Sequence, residues 1–447
     1  MQSRLVGGVI FAKFVGEPPA PDRRVFLRLA GLGAVAVGVG ALAGCSSSTF
    51  TPEQYAGHGE PTSAHIERAV DAAVAHNGVV RLSARRYAGN LTLADDAVVH
   101  GAGEGESVIG GALLIGSRVR LKGVTVRPSG THSSFRDGAH DSVIDGVAFH
   151  GGSSWGNLYI NDRSTRDHRF TRCTFAHNVR GGNGVRIVDK GTSNKHVENI
   201  RFESCHFHDN HRMNFECIQR ADAGNPVRTG YRSIDLVDCV FEASGGINVS
   251  YDSGLLHGSE VDRSSGYSAV RGCSISGGGY GLELAGAIHM LVQDTTIQHA
   301  TGMLLSTSQV GPNPANTRFV GNTLTSHVRG ANVVFSGTGN TIRGNTVHTP
   351  GQVRFATCGD TVVSGNTFTC ADDGPTTISI EKSFDLEFVD NTIVGGARRS
   401  VLQLDRASVH NSFTGNDFRR SATAFDLRNG TELARSANSV DPGGGTP

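Results

Sequence analysis

From residue 120 onward a four-residue phrase keeps returning: a turn-forming residue, a small residue, a variable residue and an apolar one. It reads Gly123-Val124-Thr125-Val126 and Gly146-Val147-Ala148-Phe149 at first, then Arg172-Cys173-Thr174-Phe175 and Ser204-Cys205-His206-Phe207, and late in the chain Gly344-Asn345-Thr346-Val347 and Gly415-Asn416-Asp417-Phe418. Successive copies lie 21 to 34 residues apart. A period of that size marks a solenoid, propeller or array, whose units cannot bury an apolar face alone and must stack. The segments alternate with period two and hold no ten-residue stretch of helical periodicity, which excludes helical repeats.

Each period also holds a second strand phrase, apolar-any-apolar: Leu158-Tyr159-Ile160, Val185-Arg186-Ile187, Phe215-Glu216-Cys217, Ile247-Asn248-Val249, Leu282-Glu283-Leu284, Val353-Arg354-Phe355 and Ile378-Ser379-Ile380. Two or more short strands in a period near 23 residues fit an all-β chain wound as a parallel β-helix. Glycine supplies 60 of 447 residues without a G-X-Y period, so the excess serves turns and not collagen. A solenoid also accommodates this length in one domain, because it grows coil by coil. Twelve or so coils stacked at the ~4.8 Å strand spacing predict a rod roughly 55 Å long.

These repeats resemble the right-handed parallel β-helix superfamily that includes pectate lyases and polygalacturonases, over residues 61–430. A helix N-capped by Ser63, carrying Ile66, Ala69, Val70, Ala73 and Val74 on one face and ended by Asn77-Gly78, is expected to plug the open end of the first coil. Residues 431–447, with Asp441-Pro442-Gly443-Gly444-Gly445, are expected to be a disordered tail.

Ahead of the repeats, Arg23-Arg24-Val25-Phe26-Leu27, the apolar run Leu29 to Ala43 and Leu42-Ala43-Gly44-Cys45 resemble a twin-arginine signal ending in a bacterial lipobox. The resemblance implies a signal region over residues 1–45, lipidation at Cys45, a polar tether over 46–60, and a monomer exported to the cell surface or periplasm. Lys+Arg 41 balances Asp+Glu 41, so no charge excess argues for nucleic acid as a partner.

Cys173, Cys205, Cys239 and Cys273 occupy the phrase position that Asn322, Asn345, Asn366, Asn391 and Asn416 fill later. Identical repeat positions without a C-x-x-C pair predict a buried ladder and not a metal site. Cys217 is expected in the core. Cys358 and Cys370 lie half a coil apart, a spacing that would suit a disulfide in an oxidising compartment.

Strand alternation turns the middle residue of the second phrase outward, giving a column of Tyr159, Arg186, Glu216, Asn248 and Glu283, continued by Leu304, Val333, Arg354 and Ser379. Trp155, Asn161, Asp162, Asp189, Lys190, Gln219, Arg220, Tyr251 and Asp252 lie nearby, and the three longest periods add loops beside them. Charges on an outer sheet face often do no more than solvate it, but these cluster in adjacent coils. Carboxylates, cations and an aromatic platform in one groove are what a polysaccharide requires. Trp155, Tyr159, Asn161, Arg220, Asn248, Tyr251 and Asp252 are thus candidate binding residues. Arg186, Glu216, Glu283 and Lys190 are candidate catalytic ones.

Two chemistries fit that groove. Glu216 and Glu283, two coils or about 9.5 Å apart, match the acid and base of an inverting glycosidase. Arg186, Lys190 or Arg220 would alternatively remove a proton beside a uronate carboxyl, with calcium at Asp189, Asp222 or Asp252. The Gly-His-Gly signature of polygalacturonases is missing from the coils, the adjacent aspartates Asp95-Asp96 and Asp372-Asp373 lie away from the long loops, and the Asp-Pro-His signature of mannuronan epimerases is absent. Reaction type therefore cannot be carried over, and a non-catalytic glycan- or partner-binding face is the alternative. On this reading Glu216→Gln and Arg186→Ala are each expected to abolish turnover without unfolding the rod. His206, His208 and His211, near His168 and His196, would bind zinc or copper only with a third ligand from a neighbouring coil, and are read as exposed surface histidines.

Overall fold

The computed structural model describes residues 48–441 apart from 162–164, 179–180, 190–196, 220–230, 253–267, 308–314, 329–331, 371–375, 396–399, 404–405, 421–422, 428–432 and 437. Lys190, Arg220, Asp162, Asp222, His196 and Cys45 lie outside the described residues. Among those described, no helix is long and apolar enough to cross a membrane.

The first residue of every phrase, from Gly123 to Gly415, sits at left-handed φ, between 49° at Asp294 and 68° at Gly415. That conformation turns the chain sharply, and Gly or Asp tolerates it best. After each corner a short strand follows, and each pairs in parallel with its counterparts one coil before and one coil after, as in Phe149↔Phe175 and Phe175↔Phe207. Among the described residues the strands form one sheet of 15 and one of 29. In the larger sheet two faces of the coil are joined through the long strand Val353–Ser364, which runs around a corner. Fifteen rungs at the inter-strand spacing give a stack about 70 Å long, longer than the dozen coils expected.

Inside, like residues stack on like. Phe149, Phe175, Phe207 and Phe241 form a column with ring centroids 5.1, 4.9 and 4.6 Å apart and nearly parallel planes. The small phrase position forms the expected ladder. Each asparagine from Asn322 to Asn416 donates Nδ2 to the Oδ1 of the next at 2.8–3.0 Å and accepts, from the previous rung's backbone N–H, a second bond. Its other amide hydrogen goes to a core-strand carbonyl, so the buried amide is satisfied. Upstream, Cys173, Cys205, Cys239 and Cys273 are buried free thiols donating to carbonyls of the preceding coil at 3.4–3.6 Å. Burial pushes the Cys205 thiol well up, as befits an inert ladder residue. Cys217 is fully buried.

Cys358 and Cys370 are free, contrary to the disulfide reading. Their thiols bond instead to Phe335 O (3.2 Å) and Thr377 O (3.6 Å), and burial pushes both up to about 12.

The capping helix runs Ser63–Ala75 and buries Ile66, Ala69, Val70 and Ala73. Its N-cap is Thr62, one residue before the expected Ser63, because Thr62 N–H donates to His65 Nδ1 at 2.9 Å, closing a capping box. Within the segment read as a tether, Thr49–Phe50 forms a strand paired with Val79–Val80, and Glu53–Ala56 forms a helical turn.

Candidate functional site

Successive parallel registers define the outer column: Leu114↔Ser134↔Tyr159↔Arg186↔Glu216↔Ser250↔Glu283↔Ser306. Tyr159, Arg186, Glu216 and Glu283 are therefore brought into one line as expected.

Asn248 is not part of it. It is fully buried, takes the Asn214 amide at 2.7 Å and donates to the Ser276 and Gly277 carbonyls at 3.1 and 2.8 Å. The phrase that aligns with Phe215-Glu216-Cys217 is Val249-Ser250-Tyr251, two residues past the one read from the sequence, so Ser250 takes the rung. Tyr251 faces the core for the same reason, fully buried with its hydroxyl donating to Ile234 O at 2.9 Å, and cannot touch a ligand. Leu304 and Val333 are also buried. Glu283 pairs in regular register with Ser306, two residues past Leu304, and a register shift between Met303 and Leu305 in the next pairing brings Val334, not Val333, opposite Ser306.

Arg186 and Glu216 are on the column but not open to solvent, at 5% and 3% relative exposure. Arg186 Nε lies 2.5 Å from Glu216 Oε2, the same oxygen takes the Asn183 amide at 2.7 Å, and Arg212 reaches Oε1 at 3.3 Å. The far side of the Arg186 guanidinium lies over Trp155, 5.2 Å from the ring centroid. Arg186 and Glu216 thus form a buried, multiply bonded pair within the column.

Glu283 differs. It is half-buried, receives Ser250 Oγ–H at 2.8 Å, and burial raises its carboxyl above the ordinary 4.5, reinforced by the nearby charges of Asp252 and Glu216. Burial of a carboxyl favours its protonated form, the state a general acid needs. Asp189 is fully buried and accepts Val197 N–H at 3.1 Å, so it serves its own loop. Asp252 and Asn161 are half-buried on rungs beside the column.

At the N-terminal end the column opens. Trp155 is 47% exposed and its ring centroid lies 5.6 Å from that of Tyr159, which meets His132 edge-on at 5.1 Å. Ser153 Oγ ties the two sides together, lying 3.2 Å from His132 Nδ1 and accepting Trp155 N–H at 3.1 Å. Next to this platform is an open cavity of about 500 Å³ lined by Leu114, His132, Ser134, Phe135, Arg136, Asp137, Tyr159 and Asn161. Arg136 there pairs with Asp95, one of the adjacent aspartates. Sequence reasoning named Trp155, Tyr159 and Asn161 at this end but missed His132, Ser134 and Arg136. The signal was Ser133-Ser134-Phe135, a strand whose first inward residue is serine and so lacks the apolar-any-apolar form. Gly57-His58-Gly59 follows the first helical turn, outside the coils.

The histidines fall in different settings. His168 is buried and stacked on Phe135 at 3.9 Å, and burial lowers it to about 3. His206 and His208 do face outward, His206 Nε2 lying 3.1 Å from Glu242.

A family described as "Right handed beta helix region" matches residues 86–347 and 260–418. The chain belongs to this right-handed β-helix family. No curated protein matches. Among solved structures, gene product 12 of bacteriophage phi29 is similar at 12% identity over 84% of this chain and 56% of its own, with a TM-score of 0.54, a likeness in fold. The A-module of a mannuronan C-5 epimerase from Azotobacter vinelandii matches at 14% identity over 88% and 97% (TM-score 0.37), and a surface adhesin of Streptococcus pneumoniae at 10% over 88% and 93% (0.44). A β-helix scaffold hosts unrelated functions, so function here has to be argued from the column itself.

Proposed function

We propose that this β-helix binds an extended polysaccharide along the outer column from Leu114 to Glu283 and hydrolyses it, with Glu283 as proton donor. The observation that carries this reading is a single straight register joining an exposed aromatic platform to a half-buried carboxyl that burial raises above its ordinary value. Tyr159 and Glu283 are four rungs, or about 19 Å, apart, enough for several sugar units. Glu283 would protonate the departing glycosidic oxygen as the anomeric C–O bond breaks. Water would attack the same carbon and give its proton to Glu216, two rungs or about 9.6 Å away, at the upper end of the separation of an inverting pair.

Glu283→Gln is expected to lower turnover about 10²- to 10⁴-fold while leaving binding of the same polymer unchanged. Trp155→Ala is expected to weaken binding about ten- to hundredfold. The fold favours protonated Glu283, so its contribution to stability is full below 4.5 and is lost as pH rises through the raised value. Glu283→Gln should therefore leave stability unchanged in acid and increase it at neutral pH. Equal turnover in wild type and Glu283→Gln would remove Glu283 from the chemistry.

A second reading is non-catalytic glycan binding. It is favoured by the closed bonding of Glu216 to Arg186, Arg212 and Asn183, which restricts its access to water, and it predicts tight binding with no new chain ends. In either case the segment from Arg23 to Cys45 would export the chain and anchor it through a lipid. Palmitate incorporation that persists in Cys45→Ala would refute that anchor.

A further inference from the structure

On a different face of the coil, at the ends of the strands Ala148–His150, Thr174–Ala176 and His206–His208, three imidazoles come together. Ala176 occupies the rung between His150 and His208, and its small side chain leaves space there. The ring of His177 fills it, edge-on to His150 at 5.3 Å and to His208 at 5.1 Å. Asp209 stands one coil beyond His177 at the same left-handed corner, with φ of 52° against 57°. Its Oδ2 is 2.8 Å from His208 Nδ1 and 3.9 Å from His177 Nδ1. One ligand atom from each of His177, His208 and Asp209 lies within 4.8 Å of the others, and among the described residues no other trio of such groups does so.

We infer that His177, His208 and Asp209 form a divalent transition-metal site, with zinc the best-fitting ion. Two imidazole nitrogens and one carboxylate oxygen are borderline donors, the set that suits zinc and disfavours calcium or magnesium. Zinc bonds of about 2.0–2.1 Å in a tetrahedron place ligand atoms roughly 3.3 Å apart. The observed 2.8 and 3.9 Å bracket that value, so small side-chain rotations close the site. The rigid stack of coils holds the corners, and two of the three residues are accessible from solvent, which gives an ion an entry path. Water would complete the tetrahedron. The Nε2 of His150 is buried without a hydrogen-bond partner beside the trio, a polar atom that a metal-bound water would satisfy. This inference stands apart from the polysaccharide groove and does not depend on it.

The test is zinc binding by the full chain, first stripped with a chelator, read by competition with a chromophoric chelator. Wild type should bind one ion tightly. His177→Asn combined with Asp209→Asn should raise the dissociation constant about a hundredfold or more. Asparagine tolerates the left-handed φ at both corners, so the double variant keeps the fold. His299→Ala should bind as wild type does, since His299, His327 and His348 lie 6.2 Å apart and lack a matching carboxylate in the trio sense. Cobalt gives a second readout, with visible bands of tetrahedral intensity in wild type and none in the double variant. Equal zinc affinity in wild type and double variant, or no zinc bound by wild type, would overturn the site.

Discussion

Glu216→Ala is expected to lower the unfolding free energy by about 3–5 kcal/mol, because it leaves the Arg186 guanidinium buried without its carboxylate. Both side chains are almost wholly out of solvent, at 6% and 4% exposure, and separated by 2.5 Å. Arg212, the other cation on Glu216, is 44% exposed and stays hydrated when its partner goes, so the penalty falls on Arg186. Arg186→Met should destabilise less, because the Glu216 carboxylate retains both Arg212 and the Asn183 amide. The double variant Arg186→Met with Glu216→Leu removes both charges and should recover most of the loss, since an apolar pair of similar volume is often as stable as a buried ion pair. Urea denaturation of the four proteins gives the coupling directly. If the two single losses simply add in the double variant, the pair is not coupled and its structural role falls. The same denaturation series tests the expectation drawn from sequence that Glu216→Gln and Arg186→Ala abolish turnover without unfolding the rod. A turnover defect in either single variant is informative only after its folded fraction has been measured.

A comparable loss is expected along the asparagine ladder. Asn366 accepts the Asn345 backbone N–H and side-chain amide at 2.8 and 2.9 Å, and donates to Ile342 O at 2.9 Å. Asn366→Ala leaves those three groups buried without that partner, at about 1–3 kcal/mol each, so the total should reach at least about 3 kcal/mol. Asn366→Thr should lose less. Thr295 already holds one rung of this ladder, donating Oγ1 to Val270 O at 3.3 Å and its backbone N–H to Asn322 Oδ1 at 3.0 Å. In a solenoid each coil touches only its neighbours, so amide exchange should quicken first in the coils flanking residue 366. Uniform quickening along the whole stack, or a loss below 1 kcal/mol, would contradict the ladder as a source of stability.

The repeat made the fold legible because each coil uses its residues in the same order: left-handed corner, ladder residue, inward aromatic. Gly123 and Gly415 announce the same corner nearly three hundred residues apart. Where the chain departs from that order, reading the site from sequence failed. Asn248 lies two residues ahead of Ser250, which holds the rung, and Val333 one residue ahead of Val334, which a shifted register brings opposite Ser306. Tyr159, Glu216 and Glu283 fall in one column as read because each is the middle residue of a phrase that aligns rung by rung: Leu158-Tyr159-Ile160, Phe215-Glu216-Cys217 and Leu282-Glu283-Leu284. Burial of the charged column residues was not legible. Nothing in Val185-Arg186-Ile187 says that its arginine is sealed between a carboxylate and Trp155. The cavity by His132 escaped because serines replace large apolar residues in its strand.

The measurement that bears most directly on the central claim is incubation of the full chain with a panel of acidic and neutral polysaccharides, following reducing ends and ultraviolet absorbance together. A hydrolytic groove with Glu283 as acid predicts new reducing ends from at least one polymer, without the absorbance of an unsaturated uronate, and their loss in Glu283→Gln. New ends accompanied by that absorbance would contradict hydrolysis in favour of elimination. Neither cleavage nor binding of any polymer, by wild type and Trp155→Ala alike, would contradict the polysaccharide groove itself.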